Sequence, residues 1–166
     1  MKDIPTNLSK TETANCYIVN SAGDYRFRAN KLGNSNNEIN TVTPGTPSSV
    51  EILWESILKP TTYHNYSYAH ESGSLISSIG YENEQICFTA TGNEGNALVA
   101  IKNASGTIMW SWHLWFVNEE VHEIASSLMD RNLGAMRSEL ISYGSSTQDI
   151  LTHGLLYQKG RKDPFV

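Results

Sequence analysis

Ser111, His113 and Trp115 alternate along one apolar stretch, a spacing suited to recognition chemistry. On a strand, all three side chains leave the same face. An indole there can stack on a sugar ring or an aromatic group while the hydroxyl and imidazole supply hydrogen bonds. The plainer alternative is that another part of the chain covers this face and His113 bonds to its backbone. A second candidate is the aromatic group Tyr63, His64, Tyr66 and Tyr68, with His70 close behind. Residues 59–73 show no steady period and read as a loop. Tyrosine supplies contact area at low entropic cost, and loops on rigid scaffolds often carry recognition. An ordinary surface loop would have the same composition.

Catalytic chemistry finds less support. His122-Glu123 resembles the start of a zinc-protease motif, but Ser126 stands where the second histidine is needed. The pair of ligands one helical turn apart is missing. No serine lies in a nucleophile elbow, no glycine loop is built to cradle phosphate, and no acid/base carboxylate pair is evident. The expectation is therefore no catalytic residue, no metal and no cofactor. Asp130-Arg131-Asn132 and Arg161-Lys162-Asp163 alternate charge, as a docking surface for a partner domain would, or as local ion pairs do.

The elements that must position these residues begin with residues 106–117, which hold three of the four tryptophans. At period two, Ile108, Trp110, Trp112, Leu114 and Phe116 share one wholly apolar face that must be buried. Met109, Ser111, His113, Trp115 and Val117 share the other. Aromatic residues without Gly or Pro make this a central strand. Shorter β-like runs lead up to it at residues 15–19, 25–29, 50–55, 75–79, 85–90 and 96–102. The first two read as a hairpin through the turn at residues 20–24. Glu51 and Glu55 would face Arg26 and Arg28 if their strands share a sheet. About seven strands with no helix among them predict a mainly β chain. The expected architecture is an antiparallel β-sandwich, immunoglobulin-like or a related Greek key, with an irregular C-terminal extension. The expected division is a flexible leader at 1–13, the sandwich at 14–117 and the extension at 118–166. The extension has too few apolar residues for its own core. It either packs on the sandwich or opens a second domain.

The chain of 166 residues can bury one core. Its net charge of −5, with scattered basic residues, argues against a nucleic-acid surface. No apolar run is long enough for a transmembrane helix, and the opening residues carry no secretory signal. Cys16 and Cys87 are too few for a disulfide scaffold and lack metal-ligand spacing. They read as free thiols or as a single bridge.

Several motifs occur in order: Ala14-Asn15-Cys16-Tyr17-Ile18-Val19, Glu51-Ile52-Leu53-Trp54-Glu55, Ser105-Gly106-Thr107-Ile108-Met109-Trp110-Ser111-Trp112-His113 and Met129-Asp130-Arg131-Asn132-Leu133-Gly134-Ala135. Gly154-Leu155-Leu156-Tyr157-Gln158 and Gly160-Arg161-Lys162-Asp163-Pro164-Phe165 complete the set. Together they resemble a family of secreted, surface-anchored, fimbria-associated adhesin-like proteins of Bacteroidetes. The last part is similar to the opening of the Fibrobacter succinogenes major paralogous domain, with Lys159 where a Trp is common. The resemblance implies a secreted or outer-membrane-surface location and a non-enzymatic role in adhesion or binding, with glycan or protein as ligand. A pilus-like or stalk subunit that docks to neighbouring domains or subunits is the alternative. A glycan-processing accessory is the remaining one.

Overall fold

Strand β9 (Ile108–Phe116) is an interior strand of a five-stranded sheet, paired on both sides, as its aromatic composition predicts. In the computed structural model, residues 4–33, 35–61, 65–125, 128–138, 150–158 and 162–164 are described. Beside β9 run β8 (Gly95–Asn103), β4 (Pro47–Thr61) and β5 (Asn65–His70) on one side and β2 (Cys16–Val19) on the other. The order is β2-β9-β8-β4-β5, with β2 parallel to β9 and the other pairs antiparallel. A second sheet has the order β1-β3-β7-β6, formed by β1 (Thr6–Asn7), β3 (Gly23–Arg28), β7 (Gln85–Ala90) and β6 (Ile76–Glu82). A small hairpin of β10 (Glu123–Ala125) and β11 (Leu128–Met129) stands apart from both. The two sheets pack as a β-sandwich, and their strand order is that of an immunoglobulin-like Greek key. The short β1 departs from it by running parallel to β3.

The sheets meet through aromatic side chains instead of a disulfide. Phe27 and Phe88 from one sheet contact Trp112 and Phe116 from the other edge-on, at 5.4 and 6.3 Å between ring centroids. Tyr17 closes on Phe27 at 4.7 Å. Such pairs each contribute about 1 kcal/mol beyond the area they bury. Cys16 and Cys87 are free, on β2 and β7 in different sheets.

Four expectations are corrected. Residues 15–19 and 25–29 do not form a hairpin, because the chain crosses between sheets at residues 20–22. Tyr17 and Phe27 then face one another across the core, and alternation looks the same for facing strands as for neighbours. Ile108 is not buried: a bulge at Met109 shifts the register, so Met109 is 2% exposed and Ile108 45%. Residues 60–70 are not a loop throughout, since β4 runs on through Pro60 and β5 pairs with it from Ser56↔His70 to Thr61↔Asn65. The leader is not wholly free either. β1 pairs with β3, and buried Ser9 accepts a hydrogen bond from the Arg28 amide at 2.8 Å.

Glu55 is the most consequential departure. A bulge between Ile52 and Trp54 reverses the phase of β4, so Glu55 points inward with Ile57. Its carboxylate accepts the amides of Leu75 at 3.1 Å and Ile76 at 2.8 Å, and that of Gly73 as well. It therefore pins the turn into β6 instead of facing Arg26 and Arg28, which belong to the other sheet. Glu51 stays outside and pairs with Lys102. Glu55→Ala leaves three amides unpaired and is expected to cost about 3 kcal/mol in urea denaturation. Glu51→Ala, which removes only an exposed pair, should cost no more than about 1 kcal/mol. Equal small losses from both would contradict the role of Glu55.

Candidate functional site

The second face of β9 is covered. Ser111, His113, Trp115 and Val117 are all buried, Trp115 completely. Residues beyond 117 form the cover: Met136 packs with Trp115 and Val117, flanked by Leu133, Val121, Leu58 and Cys16. Trp115 is therefore not available to stack on a ligand, and the open-platform reading of Ser111, His113 and Trp115 is corrected in favour of coverage by the extension.

Polar side chains hold that cover down. The Nδ2 amide of Asn96 donates to the Gly134 carbonyl at 3.0 Å, so its Oδ1 must accept from His113 Nε2, 2.8 Å away. The proton is thereby assigned to Nε2. Nδ1 is left to accept from the Cys16 thiol and the Tyr157 hydroxyl, each at 3.2 Å. Ser111 donates its hydroxyl to Asp163 at 2.7 Å, and Lys162 reaches the Ser111 carbonyl at 2.7 Å. Lys162 also lies 4.6 Å over the ring of Trp110. The Arg131 side chain is buried and is a clamp: it binds Asp130 at 2.9 and 3.1 Å, the Glu120 carbonyl at 3.0 Å and the Met136 carbonyl at 3.1 Å. Hydrogen bonding to this guanidinium holds the Asp130 carboxyl below the usual carboxylate range. The alternating charges at 130–131 and 162–163 thus make local ion pairs and tethers.

Cys16, His113 and Asn96 are arranged as a thiol, an imidazole and an orienting amide, a grouping that can carry nucleophilic catalysis. Burial works against that use. It pushes the Cys16 thiol up to about 12 and lowers His113 to about 4, with Asp163 opposing the latter shift. Both groups are neutral at pH 7, so the pair is a hydrogen bond and not a thiolate–imidazolium.

Where the extension parts from the sheet, a cleft of about 810 Å³ opens beside β4 and β5. Ser56, Ser67, Tyr68 and His70 form one wall. Asn132, Leu133, His153, Leu155 and Leu156 contribute to the other. Gly134 permits the close approach of this wall: its φ is +87°, and a Cβ there would lie 2.8 Å from Leu155 Cγ. The Tyr68 hydroxyl is buried without a partner among the described residues. Burial, aided by the Glu94 carboxylate and opposed by Arg137, pushes its pKa up to about 12.

Of the aromatic candidates at 63–68, only Tyr68 reaches the cleft on described atoms. Tyr63 and His64 lie outside the described residues, and for Tyr66 only the backbone in β5 is described. His70 was read with the aromatic group at 63–68 and Asn132 with the alternating charges at 130–132, whereas Ser56, Ser67 and His153 escaped the sequence reading because strands and extension far apart in the chain bring them together. Asn96 carried a signal, being polar at the head of an apolar strand. Among the described residues no group of three or more His, Cys, Asp or Glu is placed to hold a metal ion, and no helix is long and apolar enough to cross a membrane.

Comparison with models of known protein families, with curated proteins and with solved structures finds no match to this chain.

Two predictions follow from the covered face. Trp115→Ala should cost about 3–5 kcal/mol by opening a cavity between sheet and extension, measured by urea denaturation. A loss under about 1 kcal/mol would mean that the residue is not packed. For His113, the unfolded chain takes up a proton near pH 6.5 that the folded chain refuses until about pH 4. This contribution is complete above pH 6.5 and is lost as pH falls toward 4, amounting to about 3 kcal/mol. His113→Gln should flatten the stability profile between pH 6.5 and 4.5. An unchanged slope would show that His113 titrates normally.

Proposed function

We propose that this chain is a non-enzymatic extracellular surface module for adhesion or binding. Its glycan or protein ligand enters the cleft between β4–β5 and the extension. The observation that carries this reading is the cleft itself. One wall belongs to a sheet packed on both faces and the other to a layer tethered by buried hydrogen bonds, so the hydrogen-bonding groups on both walls are pre-positioned. Pre-positioned groups avoid the ordering cost of binding. The neutral state of Cys16 and His113 favours binding over nucleophilic chemistry. The resemblance to fimbria-associated surface proteins supports the extracellular setting.

A second reading, a structural subunit of a surface appendage, is favoured by the β10–β11 hairpin. Ile124, Leu128 and Met129 are exposed there together at 67, 60 and 41%. Apolar side chains grouped on a hairpin suit contact with a neighbouring subunit.

Both readings are tested on the purified chain with an array of glycans and candidate surface proteins, comparing the parent with Ser67→Trp, which fills the cleft. Binding reduced at least about tenfold in a variant with an unchanged circular-dichroism spectrum is the expected result. Equal binding by both would put the site elsewhere. No binding, together with concentration-dependent assembly in light scattering, would favour the subunit.

A further inference from the structure

Strand β6 closes one side of its sheet: it pairs with β7, and no strand lies beyond it among the described residues. The turn to β7 holds only Asn83 and Glu84, at φ 48° and 60°, as in a type I′ hairpin closed by a hydrogen-bonded Glu82↔Gln85 pair. Hydrogen-bonded pairs alternate along an antiparallel ladder. The backbone groups of Gly80 and Ser78 therefore face β7, and those of Tyr81 and Ile79 face away from it. At the far end of the strand, the outward amide of Ile76 is taken by the Glu55 carboxylate. No described residue pairs with the backbone N–H or C=O of Ile79 or Tyr81. Proteins guard free edges with charges, proline or bulges. Here the bulge at Ser77 interrupts only the start of the edge, and Ser78-Ile79-Gly80-Tyr81 carries neither charge nor proline.

Amide and carbonyl groups at two-residue spacing are matched by another extended strand, and this edge is complementary to itself. With a two-fold axis at Gly80, antiparallel pairing sets Ile79 against the second copy's Tyr81 and Tyr81 against its Ile79, each pair exchanging both main-chain hydrogen bonds. An aromatic and a β-branched side chain make a favourable cross-strand pair. Ile79 and Tyr81 pack against the core and are only partly buried there, so each gains contact. Gly80 meets Gly80 of the second copy in the close pair between them, where a bare backbone suits the approach. Its own chain gives no other reason for glycine, since its φ is not positive and a Cβ would meet open space. On the outer face, exposed Ser78 lies opposite the second copy's Glu82, so no like charges meet. We propose that two copies of this chain pair through β6, joining their four-stranded sheets into one closed two-fold dimer. The cleft takes no residue from β6, so this contact is independent of the binding site.

Sedimentation equilibrium of the full chain is expected to show monomer and dimer with a Kd below about 1 mM, weak because an edge contact buries little area. Ser78→Glu places a carboxylate opposite Glu82 at both ends of the seam and should weaken the dimer about tenfold. Ser78→Lys should tighten it about threefold. Ser78→Glu combined with Glu82→Lys restores opposite charges and should return the affinity to the parent's or better. Positions 78 and 82 are exposed in each chain alone, so the circular-dichroism spectrum should not change. By NMR, the Ile79 and Tyr81 amides should exchange more slowly as concentration rises, while that of Gly80, already directed at β7, does not respond. A parent that stays monomeric at about 1 mM overturns the inference. So does a dimer indifferent to Ser78→Glu, which would use another surface. Assembly that continues past two copies also overturns it, because a closed two-fold contact does not propagate.

Discussion

Trp112 and Trp115 leave β9 in opposite directions, and both are fully buried. A strand with one apolar face needs a single partner layer, but a strand with large side chains on both faces needs two. Trp112 is met by Phe27 and the other sheet. Trp115 is met by Met136 in the extension. The extension is therefore a third layer that the sandwich requires, because without it Trp115, Val117, Ser111 and His113 would face water. Its sparse apolar content is sufficient for this, since it needs to cover only part of one sheet.

The cover is fastened largely by polar groups, and this shapes the cleft. Buried Asn96, His113 and Ser111 bind Gly134, Tyr157 and Asp163 of the extension, which fixes its position more sharply than apolar contact alone, while buried Arg131 ties residues of the extension to one another. These bonds concentrate over β9 and β8. Toward the β4–β5 edge the sheet surface carries Ser67, Tyr68 and His70, and the cleft opens between the layers. The cleft is the unsealed margin of a layer clamped elsewhere. The same neutrality that makes the Cys16–His113 pair a hydrogen bond between β2 and β9 removes it from consideration as a nucleophile.

Much of the fold was legible because its strands alternate cleanly. The sandwich, the central tryptophan strand and the turn before it follow from period-two patterning at residues 96–117. What escaped did so for definite reasons. Single-residue bulges at Met109 and near Leu53 reversed the phase, so Ile108 and Glu55 point opposite to the extrapolated pattern. Strand β5 hid because an edge strand rich in Asn, Ser and Tyr has no apolar period to display. The parallel pairing of β2 with β9 joins residues nearly a hundred apart, which no local signal encodes. In the candidate site, Tyr68 was legible as one tyrosine in an aromatic cluster. Ser111, His113 and Trp115 were legible as a face, and its coverage followed from an extension that needs a surface to pack on. Which atoms would meet His113 was not legible, since backbone was expected and the structure has the Asn96 and Tyr157 side chains. His70 was marked with the aromatic cluster, but His153 had no pattern to mark it, because the cleft exists only after three segments meet.

Burial of both faces of β9 requires sandwich and extension to form one cooperative unit, and native-state hydrogen exchange with increasing urea tests this most directly. The amides of Ala135 and Met136, which donate to the Asn132 and Leu151 carbonyls, report the extension, and those of Trp112 and Leu114 report β9. The prediction is that all four exchange through the same global opening, with equal free energies and equal urea dependence. An extension that opens several kcal/mol more easily, while the β9 amides keep full protection, would show that the second face of β9 does not need its cover and would contradict the account.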